Sequence, residues 1–211
     1  IQAFGGNGYQ RGGAGTLFRH TSGTRHGQVR IDNDGQAGGP TVLTNAFWPA
    51  GVSFDLLCTG AALVQVHRPM TLASLRVNGG AILNHAPQAN TFDLTVTGDA
   101  VIETNGQINV TGLGYASASG PGAGGNWGDQ GSGGGHGGQG GYTPNGRSGG
   151  GAYDLIPTPA DFGSGGGNGY GGRGGYGGGA IQVNVGGTLQ VDGAIAAGGG
   201  ADQQRVDVDF R

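Results

Sequence analysis

Three stretches of this chain repeat one alternation of apolar and polar positions at a constant spacing. "LLCTGAALV" from Leu56, "LRVNGGAIL" from Leu75 and "LTVTGDAVI" from Leu94 align without gaps, nineteen residues apart. Leu56, Leu75 and Leu94 correspond, followed by Cys58, Val77 and Val96, then Gly60, Gly79 and Gly98, then Ala62, Ala81 and Ala100. Further on, "IQVNVGGTLQVDGAI" (181–195) lies over "LTVTGDAVIETNGQI" (94–108). This sets Ile181, Val183, Leu189, Gly193 and Ile195 against Leu94, Val96, Ile102, Gly106 and Ile108. Each unit reads as a strand, a corner at glycine and a second strand. No unit holds an apolar stripe of helical period long enough for a helix, which argues against βαβ winding and leucine-rich repeats. The units predict an all-β chain folded as a parallel β-solenoid (β-helix) of ~19-residue coils, with equivalent side chains stacked about 4.8 Å apart. An antiparallel sandwich with turns every 8–12 residues is the competing architecture. Gapless register over three units favours the solenoid. Cys58 takes a rung that valine holds in the next two units, so it is expected to point inward as a small hydrophobe.

Alternation stops at about Gly114, and glycine takes over. "GAGGNWGDQGSGGGHGGQG" (122–140) and "GSGGGNGYGGRGGYGG" (163–178) carry glycine at every third position without a miss. A three-residue period is that of polyproline II, which has no internal hydrogen bonds and must find partners for its amides elsewhere. A glycine edge lets such segments pack side by side, so these runs predict a polyglycine-II-like side layer lying against the solenoid. Collagen is disfavoured, because Pro121 is the only proline between Gly120 and Gly141. The break "AYDLIPTPADF" (152–162), with Pro157 and Pro159, is expected to reverse the chain between the runs, with Leu155, Ile156 and Phe162 pinning the reversal. A flexible linker is the alternative. Against it, five tyrosines directly follow glycine (Tyr9, Tyr115, Tyr142, Tyr170 and Tyr176), and Trp127 sits within a run. Large rings among glycines can cover exposed backbone.

Composition sharpens this division. Glycine supplies 54 of 211 residues, yet Leu155, Ile156 and Phe162 are the only Leu, Ile, Val or Phe residues between Gly114 and Gly179. The rest of the chain can bury a core; the glycine portion cannot do so in the usual way. The expected organisation is β-solenoid coils over 1–113, a glycine-rich layer over 114–179 and returning strands over 180–211. A net charge of −3 gives no electrostatic case for nucleic acid or an anionic membrane. No run of eighteen apolar residues is present, so no membrane insertion is expected. The chain opens at Ile1 without initiator Met or signal peptide, which points to a mature or excised piece. A single cysteine excludes an internal disulfide framework and a multi-cysteine metal site.

Chemical motifs are sparse, and no cofactor is called for. "GGHGG" places His136 as in the Gly-His-Gly of polygalacturonases, but their clustered aspartates and downstream basic motif are missing in matching form. "DNDG" (32–35) and "GGNWGD" (124–129) resemble pieces of calcium loops; the first lacks the downstream Glu and the second fails the nonapeptide pattern, so both read as turns. "RVDVDF" places Arg205, Asp207 and Asp209 opposite Val206, Val208 and Phe210, an ordinary strand alternation. Asn109-Val110-Thr111 satisfies a glycosylation sequon inside a strand-like segment.

The order "LRVNGGAILNH … FDLTVTGDAVIETNGQINVTGLGY", a glycine-rich region, then "GGGAIQVNVGGTLQVDGAIAAGGG" resembles modules repeated in tandem in very large bacterial surface proteins. The resemblance implies an extracellular or cell-surface role, structural or adhesive, and carries no activity with it. The expected function is a structural subunit or repeat module of a bacterial extracellular filament, partnered by copies of itself head to tail. One alternative is an adhesin or carbohydrate-binding module with a surface polysaccharide as partner; the third is a polysaccharide-degrading β-helix enzyme. Expected assembly residues are Ile1, Ala3 and Phe4 at one end and Val206, Val208 and Phe210 at the other, because strand pattern runs to both termini without caps. Candidate sugar-stacking residues are Trp127, Tyr142, Tyr170 and Tyr176.

Overall fold

Short alternating segments bounded by glycine become strands, and no helix forms among the described residues. A computed structural model describes residues 2–44, 53–89, 91–154, 160–200 and 203–204. The strands are β1 (Thr16–Arg19), β2 (Gly27–Asp32), β3 (Thr41–Leu43), β4 (Phe54–Thr59), β5 (Leu63–Val66) and β6 (Met70–Leu72). They continue as β7 (Ser74–Val77), β8 (Ile82–Asn84), β9 (Phe92–Val96), β10 (Ala100–Ile102), β11 (Gln107–Asn109) and β12 (Asn126–Trp127). The last are β13 (Gln130–Gly131), β14 (Gly172–Arg173), β15 (Ile181–Val185), β16 (Leu189–Val191), β17 (Ala194–Ala196) and β18 (Gln203–Gln204). The chain divides into two compact units, Ile1–Asn109 with Ile181–Ala196, and Val110–Ala180 with Ala197–Arg211.

The first unit corrects the expected fold class. Its strands belong to separate sheets with mixed pairing, and a regular nineteen-residue β-solenoid is not what they form. The largest sheet runs β1-β2-β4-β7-β10-β16, the second β17-β11-β8-β5-β3 and the third β15-β9-β6. Within the first of these β1 is antiparallel to β2, whereas its remaining strands pair in parallel. Leu56 faces Leu75 as the repeat requires, but Leu75 then faces Ala100. Leu94 sits in the third sheet, between Met70 and Val183. Among the described strands, only the steps β4 to β7 and β5 to β8 keep the nineteen-residue spacing. Leu189, matched by sequence to Ile102, faces Ala100.

Alternation does decide which side of each strand is buried. Leu56, Cys58, Val64, Val77, Leu83, Leu94, Val96 and Ile102 are at most 1% exposed. Burying an aliphatic side chain of this size contributes roughly 1.5–3 kcal/mol, so these rows supply the unit's main stabilisation. Gly60 and Gly79 turn the corner with φ of +59° and +57°, a left-handed conformation that a Cβ would strain.

The second unit lacks aliphatic rows and is held by its backbone. Among the described residues its ladders are the antiparallel ribbons β12–β13 and β14–β18. Elsewhere, amides bond laterally to distant segments: Gly114 N–H to Gly177 O (2.8 Å), Tyr115 N–H to Gly163 O (3.0 Å) and Gly150 N–H to Gly133 O (2.9 Å). The expected polyglycine-II-like layer, with every third glycine at the closest approach, is corrected as well. Close approach does not follow the three-residue phase: in-phase Gly131 and Gly178 would clash at 1.8 and 1.9 Å with backbone oxygens, but so would out-of-phase Gly165 and Gly167 at 1.9 and 2.0 Å, and in-phase Gly166 has 3.6 Å of room for a Cβ. Phe162 packs edge-on against Tyr115 at 5.8 Å, and Leu155 and Ile156 lie outside the described residues.

Candidate functional site

Parallel pairing leaves the first unit with two unlike ends. In two of its sheets one edge is β16 and β17, and the opposite edge is β1 and β3. Along β16 and β17, Leu189 faces Ala100, Val191 faces Ile102 and Ile195 faces Ile108. Those three partners are at most 1% exposed, yet Leu189, Val191 and Ile195 are 46%, 43% and 40% exposed. They have the side-chain character of the buried rows, and among the described residues no strand of the sheet lies beyond them. At the opposite edge Phe18 is 58% and Val42 44% exposed. Beside β1 lies a hollow of about 540 Å³ lined by Ala3, Phe4, Leu17, Phe18, Gln28 and Arg30, among others.

Of the expected assembly residues, Ala3 and Phe4 therefore lie at the β1 edge. The Ala3 carbonyl accepts the Gly15 N–H at 2.6 Å, and Asn33 Oδ1 accepts the Gly5 N–H at 2.8 Å, which fixes this segment beside β1. Ile1, Val206, Val208 and Phe210 lie outside the described residues. Sequence reasoning missed Leu189, Val191 and Ile195, because nothing in their letters separates them from buried counterparts.

In the second unit, three reverse turns gather three of the four candidate stacking residues. The β12–β13 hairpin carries Trp127; residues 143–147 form a turn that follows Tyr142; a bridge between Gly169 and Gly172 encloses Tyr170. The Asn168 N–H donates to Asn126 Oδ1 at 2.5 Å, tying the third turn to the hairpin. Arg147 lays its guanidinium over the Trp127 ring, 5.1 Å from the centroid, tying in the second. Trp127, Tyr142 and Tyr170 are 43%, 62% and 93% exposed. Tyr176 stands apart and half-buried, its carbonyl accepting the Gly200 N–H at 2.8 Å. Sequence reasoning missed Arg147, and Arg173, which follows the Gly169–Gly172 bridge in β14.

The remaining polar groups hold structure together. His136 Nε2 lies 3.3 Å from Asp154 Oδ2, and that oxygen also accepts the N–H groups of Ala160 and Asp161 at 2.9 Å. Ser164 donates to Tyr153 Oη at 2.8 Å and accepts from Gly122 N–H at 2.9 Å, so its hydroxyl is already committed. Burial pushes the Tyr153 phenol up, with the Ser164 bond opposing. Asp55 accepts from Ser74 at 2.6 Å and Asp99 from the Thr188 N–H at 2.7 Å; Arg76 pairs with Glu103 at 2.9 Å. Burial pulls Asp32 upward, but Arg30 and the Asp34 N–H more than offset it and hold the carboxyl below its usual range. Cys58 is fully buried, and burial pushes its thiol well above the ordinary value, the opposite of a reactive thiolate. Among the described residues, no group of three or more His, Cys, Asp or Glu could hold a metal. Compared with protein-family models, curated proteins and solved structures, the chain matches none.

Proposed function

We propose that this chain is a structural subunit or repeat module of a bacterial extracellular filament or surface fibre, joined head to tail. The observation that carries the reading is the β16–β17 edge, where Leu189, Val191 and Ile195 extend buried rows yet stay 40–46% exposed. An open edge with apolar side chains is a template for pairing with another chain, and no proline or lysine blunts it. The β1 and β3 edge lies at the other side of the same two sheets, so contact between the two edges is heterologous, the type that builds an open filament wherever the rotation between copies does not close. Bacterial and extracellular placement rests on the resemblance to tandem surface modules.

Electron microscopy of the purified chain across a concentration series tests the reading, with denaturing electrophoresis to separate covalent tandem copies from free subunits. Filaments whose repeat matches one subunit are expected. A compact monomer at high concentration overturns it.

A further inference from the structure

Within the second unit, the exposed large hydrophobic side chains among the described residues are Trp127, Tyr142 and Tyr170, all aromatic and all on the three gathered turns. Exposed aliphatic side chains like those of the β16–β17 edge are missing from this surface among the described residues. Each ring instead stands singly beside a glycine, the arrangement that leaves a face open to a flat partner.

The cations at these turns specify that partner further. Arg147 places its guanidinium over the Trp127 ring, 5.1 Å from the centroid, a cation–π contact that uses the ring face and leaves the guanidinium its N–H donors. Trp127 in turn leans on Gly125, where a Cβ would lie 2.4 Å from the indole nitrogen. Exposed Arg173 leaves the third turn through β14. The turns carry one acid, Asp129, against these two cations. A guanidinium presents a fork that fits a carboxylate in two-point contact.

The turns are also stiff before any ligand arrives. Asn168 closes the third by accepting the Gly174 N–H at 3.1 Å, and the second is locked by Thr143, whose hydroxyl accepts the Arg147 N–H at 3.0 Å. A fixed platform loses less entropy on binding than a mobile one.

We propose that these turns form a binding surface for a carboxylated polysaccharide, with Tyr142 and Tyr170 stacking on sugar rings and Arg147 and Arg173 meeting uronate carboxylates. Trp127 is a positioning residue that orients Arg147. This surface is independent of the edge proposed for assembly.

The test is affinity electrophoresis and calorimetry with polygalacturonate as probe and neutral dextran as comparison, on the full chain. Polygalacturonate retards the protein and dextran does not, binding weakens with added salt, and Trp127 fluorescence changes on titration. Tyr170→Ala and Arg147→Gln each weaken binding at least tenfold, and Tyr170→Ala does so with an unchanged melting temperature, because its side chain is 93% exposed. Trp127→Phe retains more affinity than Trp127→Ala, since a ring still supports the guanidinium. The assignment is overturned if the protein ignores polygalacturonate, if dextran binds equally well, or if both Tyr170→Ala and Arg147→Gln bind like the parent.

Discussion

Replacing the apolar side chains of the open edge should prevent the proposed filament while sparing the fold, and the magnitude can be worked from exposure. Full burial of a Leu, Val or Ile is worth roughly 1.5–3 kcal/mol. Leu189, Val191 and Ile195 retain 46%, 43% and 40% exposure in the single chain. Covering what remains contributes roughly 0.6–1.4 kcal/mol each, or about 2–4 kcal/mol for the three together. With tenfold in affinity per ~1.4 kcal/mol, their loss weakens the contact by roughly thirty- to several-hundred-fold. Association itself costs about 4–15 kcal/mol, so side chains alone cannot hold the joint; strand pairing at ~0.5–1.5 kcal/mol per hydrogen bond supplies the difference. Threonine at all three positions keeps strand-compatible branching and removes most of the apolar area, placing the effect toward the lower part of that range. The assay is the concentration at which pelletable fibre first forms, followed by sedimentation across a dilution series. A triple Leu189→Thr, Val191→Thr, Ile195→Thr chain with parental melting temperature and an unchanged critical concentration would refute the edge as the joint.

Other outcomes follow from the same packing. Gly177→Val should strip amide-exchange protection from the second unit, because its Cβ would lie 1.7 Å from the Gly163 carbonyl oxygen, whereas Gly171→Val, with nothing within 4 Å, should leave exchange unchanged. Equal exchange in the two variants would contradict the close backbone packing. Val77→Asp or Val96→Asp, each at a position 0% exposed, should lower stability by on the order of 4 kcal/mol or more by burying an unpaired carboxylate, read by thermal melting. His85 is fully buried, and burial lowers its pKa, partly opposed by its contact with the Ala86 carbonyl. With the folded value below the unfolded one, the unfolded chain binds the extra proton. Its stabilisation is therefore complete above the ordinary histidine pKa of about 6.5 and declines as pH falls toward the folded value. Thermal melts between pH 7 and 5 should show a falling midpoint in the parent and a flatter course in His85→Leu; a midpoint that rises on acidification contradicts the sign.

Strand positions and their buried sides were legible because alternation reports them directly. Cys58 shows how far this goes: read as an inward rung, it is buried between Ile31 and Val77. Which sheet a strand joins was not legible. Leu75 and Leu94 stand in the same local pattern, yet one lies in the six-stranded sheet and the other in the three-stranded one. Alternation fixes an inside and an outside but says nothing about the neighbour across the hydrogen bonds. Gly79 and Gly98 add to the confusion, since one letter answers two demands. Gly79 supplies a left-handed corner, whereas Gly98 makes room for the Ala73 carbonyl, 2.7 Å from where its Cβ would lie.

The same limit explains the two surfaces that sequence reasoning located only in part. Val191 and Val77 are one residue type in one alternation, and what distinguishes them is the number of strands beside them: β7 lies between β4 and β10, but β16 pairs with β10 alone. Exposure at an edge is a property of where the stacking stops, and no local pattern encodes the stop. At the aromatic turns the failure runs the other way. Tyr142 and Tyr170, each after a glycine, are exposed, while Tyr176, with the same left-hand neighbour, is half-buried. The difference lies in backbone bonding, since Asn126 and Arg147 draw separate turns together across 42 and 20 residues of sequence. A surface assembled from such distant pieces exists only once the glycine unit has closed its lateral hydrogen bonds, so weakening those bonds should remove binding at the proposed polysaccharide site along with the unit's order.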